Sequence, residues 1–200
     1  MGDEIKSTLE IALEKAERLG KASREELEWE RQKEKVLILV GKFLKGEIES
    51  PFPELREFLK TQSKDSHKRL LSLAIETLLK NITLPRDEFH LKEIQRTLGA
   101  LKDAFKNIPQ VDQLFSEFEK LLNDYQAHKK AIYQELLKRF SSAISALEKT
   151  VSEQLGAKVK LSPESHPQFQ EEWNKIKEQL DREYGRQIDY FKALLQKIIS

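Results

Sequence analysis

Apolar residues recur at spacings of three and four along most of the chain, which is the spacing of one face of a helix. The longest series lie in the second half, over residues 110–155 and 167–198. The first of these stretches contains neither Gly nor Pro, and it is followed by a loop, residues 156–167, that contains two prolines. Two such stripes joined by a short loop predict a long antiparallel helical hairpin that is coiled-coil-like.

The first half carries shorter stripes, which predict about five helices. Gly20 and Gly46 are predicted helix ends, because Gly takes the left-handed cap conformation without strain. Ser23 and Glu26 have the spacing of a capping box and predict a new helix start. We therefore expect helices over about 4–19, 24–45, 54–61, 65–80 and 88–106. The stretch 36–44 is apolar on nearly all sides and is predicted to be buried.

Taken together, these patterns predict an all-α fold with two regions. No stretch alternates β-branched and polar residues over six positions, so no strand is expected. The predicted domains are an N-terminal helical region over 1–108 and the hairpin over 109–200, with helix 24–45 packed against the hairpin. At 1.5 Å per residue the helix over 110–155 would reach roughly 65–70 Å if unbroken. Either the hairpin therefore projects beyond the rest of the protein, or this helix bends. Ser141 and Ser142 are the predicted position of such a bend, because Ser side chains compete for backbone hydrogen bonds.

Charge is abundant and balanced, with 35 Lys and Arg against 34 Asp and Glu. The two signs are interleaved along the segments, which is typical of solvated helix faces with i,i+4 pairs. A duplex-binding domain concentrates positive charge on one face instead. The sequence therefore predicts no nucleic-acid partner.

The chain contains no cysteine, which excludes disulfides and zinc sites built on thiolates and is compatible with a reducing cytoplasm. The N-terminus is acidic rather than basic and then apolar, so no secretory signal is expected. The longest apolar run, residues 36–44, is interrupted by Gly41 and Lys42, whereas a bilayer span needs about 20 residues. We expect a soluble, cytoplasmic protein with no membrane partner.

Catalytic signatures do not appear in the sequence. No Ser lies in a Gly-x-Ser-x-Gly turn, and no stretch matches the full Gly-x-x-x-x-Gly-Lys-Ser/Thr phosphate loop or the Gly-x-Gly-x-x-Gly dinucleotide fingerprint. The sequence therefore predicts a protein that is not an enzyme and that needs no cofactor.

The best polar constellation lies on the long helix: Glu117, Asp124, His128 and Glu135 are offset by seven, four and seven residues, so they share one angular band. Asp124 and His128 are thus weak candidates for metal ligands. Carboxylate-bridged metal bundles, however, use Glu-x-x-His motifs on paired helices, and neither long helix has one. The favoured interpretation is a polar layer that fixes the register of the helix pair, and no metal is predicted.

Two aromatic residues are candidates for an interface. Trp29 stands in the charged run 25–35, and Trp is enriched at binding hot spots. The alternative, which we favour, is that Trp29 packs on a neighbouring helix of the same chain. Phe52 lies between two prolines, where it is either a hydrophobic staple, the commoner case, or a docking residue.

The favoured hypothesis for function is a non-enzymatic protein–protein interaction or scaffolding protein that acts through its helical surfaces. Its partner would be another protein or a second copy of the chain, as in a homodimer. The alternative is a helical bundle that binds a small ligand or a metal in a pocket between helices, near Asp124 and His128.

Overall fold

The computed structural model describes residues 8–106, 108–109, 111–156 and 160–199, and the side chains of residues 8–23, 143, 152, 155 and 165 are not described. The described part of the chain is 85% helical, and none of its residues forms a strand. The predicted all-α class is therefore confirmed. None of the described helices has a stretch that is both long and apolar enough to cross a membrane.

Six α-helices follow one another in the part of the chain that the structure describes, with a short 3₁₀ turn over Pro163–Ser165 before the last. They are α1 (Thr8–Leu44), α2 (Phe52–Lys60), α3 (Lys64–Lys80), α4 (Glu88–Phe105), α5 (Val111–Leu155) and α6 (Pro167–Ile199). The predicted bounds of α3 to α6 agree with these to within one residue. Residues 4–7 of the predicted first helix lie outside the described residues.

α1 corrects the prediction that Gly20 ends a helix. One helix runs without a break from Thr8 to Leu44, through both Gly20 and the predicted capping box at Ser23. A Gly in a helix interior costs only about 1 kcal/mol relative to Ala. The residues on either side, such as Leu19, Lys21 and Ala22, are good helix formers, and the continuing ladder of hydrogen bonds outweighs that cost.

The predicted stop at Gly46 is confirmed, and its geometry shows why. Gly46 has a φ of 78°, the left-handed conformation that costs Gly least. Its amide donates to the Phe43 carbonyl at 2.9 Å, and the Glu47 amide donates to the Lys42 carbonyl at 2.9 Å. These two bonds form a Schellman cap, which satisfies carbonyls that the helix end leaves without partners.

The chain divides into two compact units, with the division between Leu79 and Lys80. In the first unit α1 contacts α2, and the buried side chains lie on one face of each helix. They are Val36, Val40 and Phe43 on α1, Phe52, Leu55 and Leu59 on α2, and Leu70, Ala74, Ile75, Leu78 and Leu79 on α3. The predicted domain boundary at 108/109, and the packing of helix 24–45 on the hairpin, stay predictions.

The second unit contains α4, α5 and α6. The start of α4 is capped by Asp87, whose Oδ1 accepts a hydrogen bond from the His90 amide at 2.7 Å, as expected of an N-cap carboxylate. α5 contacts both α4 and α6. Its buried residues, Val111, Phe115, Phe118, Leu122, Tyr125, Leu136 and Ile144, recur at helical spacing because only one stripe of a two-sided helix faces its neighbours.

The structure contains one long bent helix, and α5, with 45 residues, is the longest of the described helices. At the predicted position of the bend, the Ser141 hydroxyl donates to the Lys138 carbonyl at 2.7 Å and the Ser142 hydroxyl donates to the Arg139 carbonyl at 3.3 Å. Side-chain bonds of this kind compete with the backbone ladder and often bend helices. The assignment of the bend to this pair stays a prediction.

Candidate functional site

Aromatic pairs join α5 to α6 along their length, and we call this contact the seam. Phe118 stacks on Phe191 with ring centroids 3.8 Å apart, Tyr125 meets Tyr184 at 5.3 Å, Tyr133 meets Trp173 at 4.9 Å and Phe140 meets Phe169 at 5.5 Å. Residue numbers rise along α5 while those of their contacts fall along α6, which is the order that an antiparallel pair produces. The coiled-coil-like geometry of the pair stays a prediction.

A polar layer crosses the middle of the seam. The Tyr125 hydroxyl donates to Asp181 Oδ1 at 2.6 Å, and the Tyr184 hydroxyl is hydrogen-bonded to His128 Nδ1 at 2.6 Å. Tyr125 and His128 are three residues apart on α5, and Asp181 and Tyr184 are three apart on α6. Each helix therefore contributes two neighbouring positions of one face, and the two hydrogen bonds are reciprocal.

Burial governs the electrostatics of this layer. Burial first, and then the hydrogen bond to Asp181, raises the pKa of the Tyr125 hydroxyl. Burial, followed by the charges of Asp124 and Glu183, raises the pKa of the Tyr184 hydroxyl. Both hydroxyls are thus held in the neutral form that can donate a hydrogen bond.

A lysine lies beside the same layer. Lys129 Nζ lies 5.7 Å from the centre of the Tyr125 ring and donates to the Arg86 carbonyl at 3.1 Å. Burial, and then the charge of Lys177, lowers the pKa of its ammonium group. The cation therefore sits on the apolar body of the seam with one backbone partner.

The sequence-predicted ligands Asp124 and His128 are both exposed. His128 binds Tyr184, and Asp124 acts on Tyr184 through its charge. Among the described residues, no three His, Asp or Glu side chains converge in a way that could hold a metal ion. The geometry is that of a layer whose hydrogen bonds can be made in one register only, because sliding either helix would separate both pairs.

Trp29, the first interface candidate, is half-buried. The Arg69 guanidinium of α3 lies over its ring, 3.9 Å from the centre, which is a cation–π contact within the first unit. This is the packing on a neighbouring helix that the sequence analysis favours. The role of Trp29 in an interface stays a prediction.

Phe52, the second candidate, has only 1% of its side chain exposed. It is the first residue of α2 and belongs to the buried face of that helix. A side chain at this depth is not available to a partner, so the docking role of Phe52 is not supported. The commoner alternative, a side chain that packs internally where the chain enters a helix, fits this burial.

The prediction that residues 36–44 are buried is correct for only one side of α1. Val36, Val40 and Phe43 are buried as expected, but Leu37 is 39% exposed and Ile38 is 51% exposed. Leu27, two to three turns earlier, is 59% exposed. A run that is apolar on all sides can bury only the face that meets a neighbour, so its other side remains in solvent.

We call this surface the outer face of α1 and define it by Leu27, Arg31, Glu34, Leu37 and Ile38. A groove of about 850 Å³ follows it as far as Glu47. Gly41 also lines the groove, and a Cβ placed on Gly41 would meet nothing within 4 Å. Sequence reasoning missed this face, although a nine-residue apolar run in a charged helix is a signal that could have revealed it.

A second, smaller groove lies along the seam in the second unit, with a volume of about 330 Å³. Its apolar lining includes Leu114, Leu121 and Leu194, and Glu117 and Arg186 supply opposite charges at its edge. Tyr190 also lines it and is 67% exposed. Sequence spacing placed Leu114 and Leu121 on the apolar stripe but gave no sign that they would be left partly uncovered.

These features define an all-α protein with a long aromatic seam, a polar layer within it and an exposed apolar helix face. Residues 56–197, which are 142 of the 200 residues, match the Family of unknown function (DUF6657), and the chain belongs to that family. The matched stretch begins within α2 and ends within α6, so it does not include the outer face of α1. Comparison with curated proteins and with solved structures finds no match. No enzyme family is identified.

Proposed function

We propose that this chain is a non-enzymatic interaction protein that binds a helical protein partner through the outer face of α1. The observation that carries the proposal is the exposure of Leu27, Leu37 and Ile38 on the side of α1 opposite its buried residues. Covering them would contribute about 25 cal/mol for each Å² of apolar surface removed from water.

The form of the surface supports a helix as the partner. Exposed apolar side chains that stand singly need no explanation, but these three line one groove along a continuous helix. Charged residues, among them Glu30, Arg31 and Lys42, border the groove. An apolar groove with a charged rim is the surface on which amphipathic helices dock through residues three and four apart.

We infer that the protein acts in the cytoplasm as a scaffold rather than a catalyst. Its cysteine-free sequence is compatible with a reducing compartment. The best polar cluster, Tyr125–Asp181 and His128–Tyr184, is engaged in mutual hydrogen bonds, which supports a role in helix register.

A photo-crosslinking residue in place of Ile38 tests the proposal in the native cell, with the same residue in place of Glu76 as a matched control. Glu76 is exposed on α3, in the same unit. We expect a discrete cross-linked protein species at Ile38 and none at Glu76. The species should disappear when Leu27→Asp is added, because that change removes the apolar end of the face. Equal labelling at both positions would contradict the proposal.

The groove along the seam favours a second candidate function, the binding of a small amphipathic ligand. Its volume of about 330 Å³ falls at the lower end of small-molecule sites, which are mostly apolar with a few polar groups. Arg186 would attract an anionic head group while the leucines contact an apolar body.

The fluorescent anion anilinonaphthalene sulfonate is a suitable probe for this second candidate. We expect it to bind the native protein, and Leu121→Trp to abolish that binding by filling the groove. Leu147→Trp is the matched control, because Leu147 is 45% exposed on the same helix and does not line the groove. Binding that survives Leu121→Trp would exclude this site.

A further inference from the structure

Four residues of the outer face follow one another at spacings of four, three and four: Leu27, Arg31, Glu34 and Ile38. This spacing keeps them in one narrow band along α1, and all four are exposed. Their chemistry runs apolar, positive, negative, apolar. When the helix is reversed, the order becomes apolar, negative, positive, apolar, so each charge meets its opposite. The band is self-complementary.

Resting on the proposed function, we propose that the partner on this face is a second copy of the same chain, with its α1 antiparallel to the first. The two-fold axis passes between positions 32 and 33. Leu27 then faces Ile38 of the second copy and Arg31 faces Glu34 of the second copy, and the symmetry repeats both contacts. An interface of this kind is isologous, because the same patch serves on both copies.

The charges decide the orientation. In a parallel, in-register pair Arg31 would face Arg31 and Glu34 would face Glu34 of the second copy, and like charges opposite each other are destabilising. Antiparallel pairing replaces both repulsions with two Arg–Glu pairs beside the axis. Two apolar contacts then close the interface, one on each side.

The residues beside the band agree with the same arrangement. Glu28 and Lys35 lie on one flank of the outer face, both are exposed, and they are seven residues apart. In an antiparallel pair equal flanks meet, so Glu28 approaches Lys35 of the second copy. On the other flank Glu30 is already paired with Lys33 of its own helix at 3.1 Å. The charges that face the second copy are therefore those of Arg31, Glu34, Glu28 and Lys35, two of each sign. Within its own chain Glu28 also accepts from Gln32 at 3.4 Å, and Lys35 Nζ lies 5.1 Å from the centre of the Phe58 ring.

Charge reversal tests the pairing, with the dimer dissociation constant measured by sedimentation equilibrium. We expect Arg31→Glu and Glu34→Arg each to weaken dimerisation roughly ten- to thirtyfold, since either change turns two weak attractions into two repulsions. The double variant, with both changes, should restore dimerisation because it only exchanges the partners. Glu76→Arg is the matched control for a single charge reversal and should leave the constant unchanged. Circular dichroism verifies that each variant is folded.

Cysteine cross-linking tests the orientation, and the absence of native cysteine makes it free of background. In the antiparallel pair the two copies of position 27 lie about 16 Å apart along the axis, so Leu27→Cys alone should not cross-link. An equal mixture of Leu27→Cys and Ile38→Cys proteins should form a mixed disulfide. Efficient homodisulfides of Leu27→Cys would indicate parallel pairing and overturn the proposal.

The failure of this inference is distinguishable from the failure of the proposed function. A monomer at all concentrations, or a dimer that is unaffected by either single charge reversal, would exclude the second copy as the occupant of this face. If the cross-linker at Ile38 still captures a different protein in the cell, the interaction function stands with another partner. If neither self-association nor capture occurs, both proposals are wrong.

Discussion

The seam between α5 and α6 and the outer face of α1 are both apolar stripes on long helices, yet the first is buried and the second is exposed to solvent. Phe191, Tyr184 and Tyr125 in the seam are nearly inaccessible to solvent, whereas Leu27 and Ile38 on the outer face are more than half exposed. The seam contains aromatic rings and a hydrogen-bonded polar layer. The outer face contains aliphatic side chains interrupted by charges. Spacing alone therefore predicts an apolar stripe. The types of side chain in the stripe distinguish a contact within the protein from a surface that is available to a partner.

The largest effect is expected when the seam is broken at its stacked pair. Phe191→Ala should lower the free energy of unfolding by about 3–5 kcal/mol, because it leaves a cavity beside Phe118 and Phe115. Urea denaturation measures the change. Tyr190→Ala, one position earlier but 67% exposed, is the control and should stay within about 0.5 kcal/mol of the native value. Similar losses for both variants would contradict the assignment of the seam as core.

A smaller effect is expected at the polar layer. Tyr125→Phe removes the hydrogen bond to Asp181 and should cost about 1–2 kcal/mol at neutral pH. The remaining carboxylate keeps a partner in Lys177, at 3.6 Å.

The same variant should also change the pH dependence of stability. Because folding raises the pKa of the Tyr125 hydroxyl, the unfolded chain loses this proton first as pH rises. The contribution is complete below the ordinary Tyr pKa of about 10, and above it stability falls by up to about 1.4 kcal/mol per pH unit. Tyr125→Phe should therefore lose stability less steeply than the native protein above pH 10 in urea titrations. Equal slopes for the variant and the native protein would refute the expectation.

Substitution of two glycines near the end of α1 by Ala is expected to change stability in opposite directions. Gly41→Ala should stabilise the chain by about 0.5–1 kcal/mol, because the helix gains propensity and the added Cβ meets nothing within 4 Å. Gly46→Ala should destabilise it by about 1–2 kcal/mol, since Gly46 is left-handed at φ 78°. Thermal unfolding distinguishes them, and a destabilised Gly41→Ala would indicate that this part of the outer face is covered.

The smallest effect on stability is expected on the outer face itself. Ile38→Glu should change the free energy of unfolding by less than about 0.5 kcal/mol when measured at low protein concentration, because the site is exposed. Val36→Glu, two residues earlier but fully buried, should unfold the first unit. A large loss from Ile38→Glu in the monomer would show that the face is part of the core.

Much of the fold follows from the sequence because helix bounds depend on local features. Pro167 marks the start of α6, because Pro is tolerated in the first turn of a helix but not in its interior. Gly46 marks the end of α1, because Gly takes the left-handed cap conformation most easily. The same reasoning fails at Gly20, where a stop residue has no accompanying break in the hydrogen-bond ladder. The penalty for one Gly is small, and local signals do not report whether neighbouring turns outweigh it.

The candidate sites were harder to predict, for a physical reason. Spacing on α5 identified Asp124 and His128 as polar positions. The α6 residues of the polar layer, however, lie 56 positions further along the chain than the α5 residues that they contact: Asp181 binds Tyr125, and Tyr184 binds His128. Their pairing depends on the register of two helices, which neither stripe specifies alone. Likewise, the burial of Val36 and the exposure of Ile38 depend on where neighbouring helices lie, and an all-apolar run leaves that choice open.

The spacing of contacts along the seam has a consequence for how the second unit forms. At the loop the Glu148 carboxylate accepts from the Leu161 amide across 13 residues, the Arg139–Glu172 ion pair closes 33, and the polar layer closes 56. The entropy lost on closure rises with length, by about 1.3 kcal/mol from the first to the last. We therefore expect folding to begin at the loop and to advance toward Phe118 and Phe191. Stopped-flow kinetics should then show that Phe140→Ala slows folding while Phe191→Ala mainly accelerates unfolding, and the reverse assignment would place the nucleus at the far end.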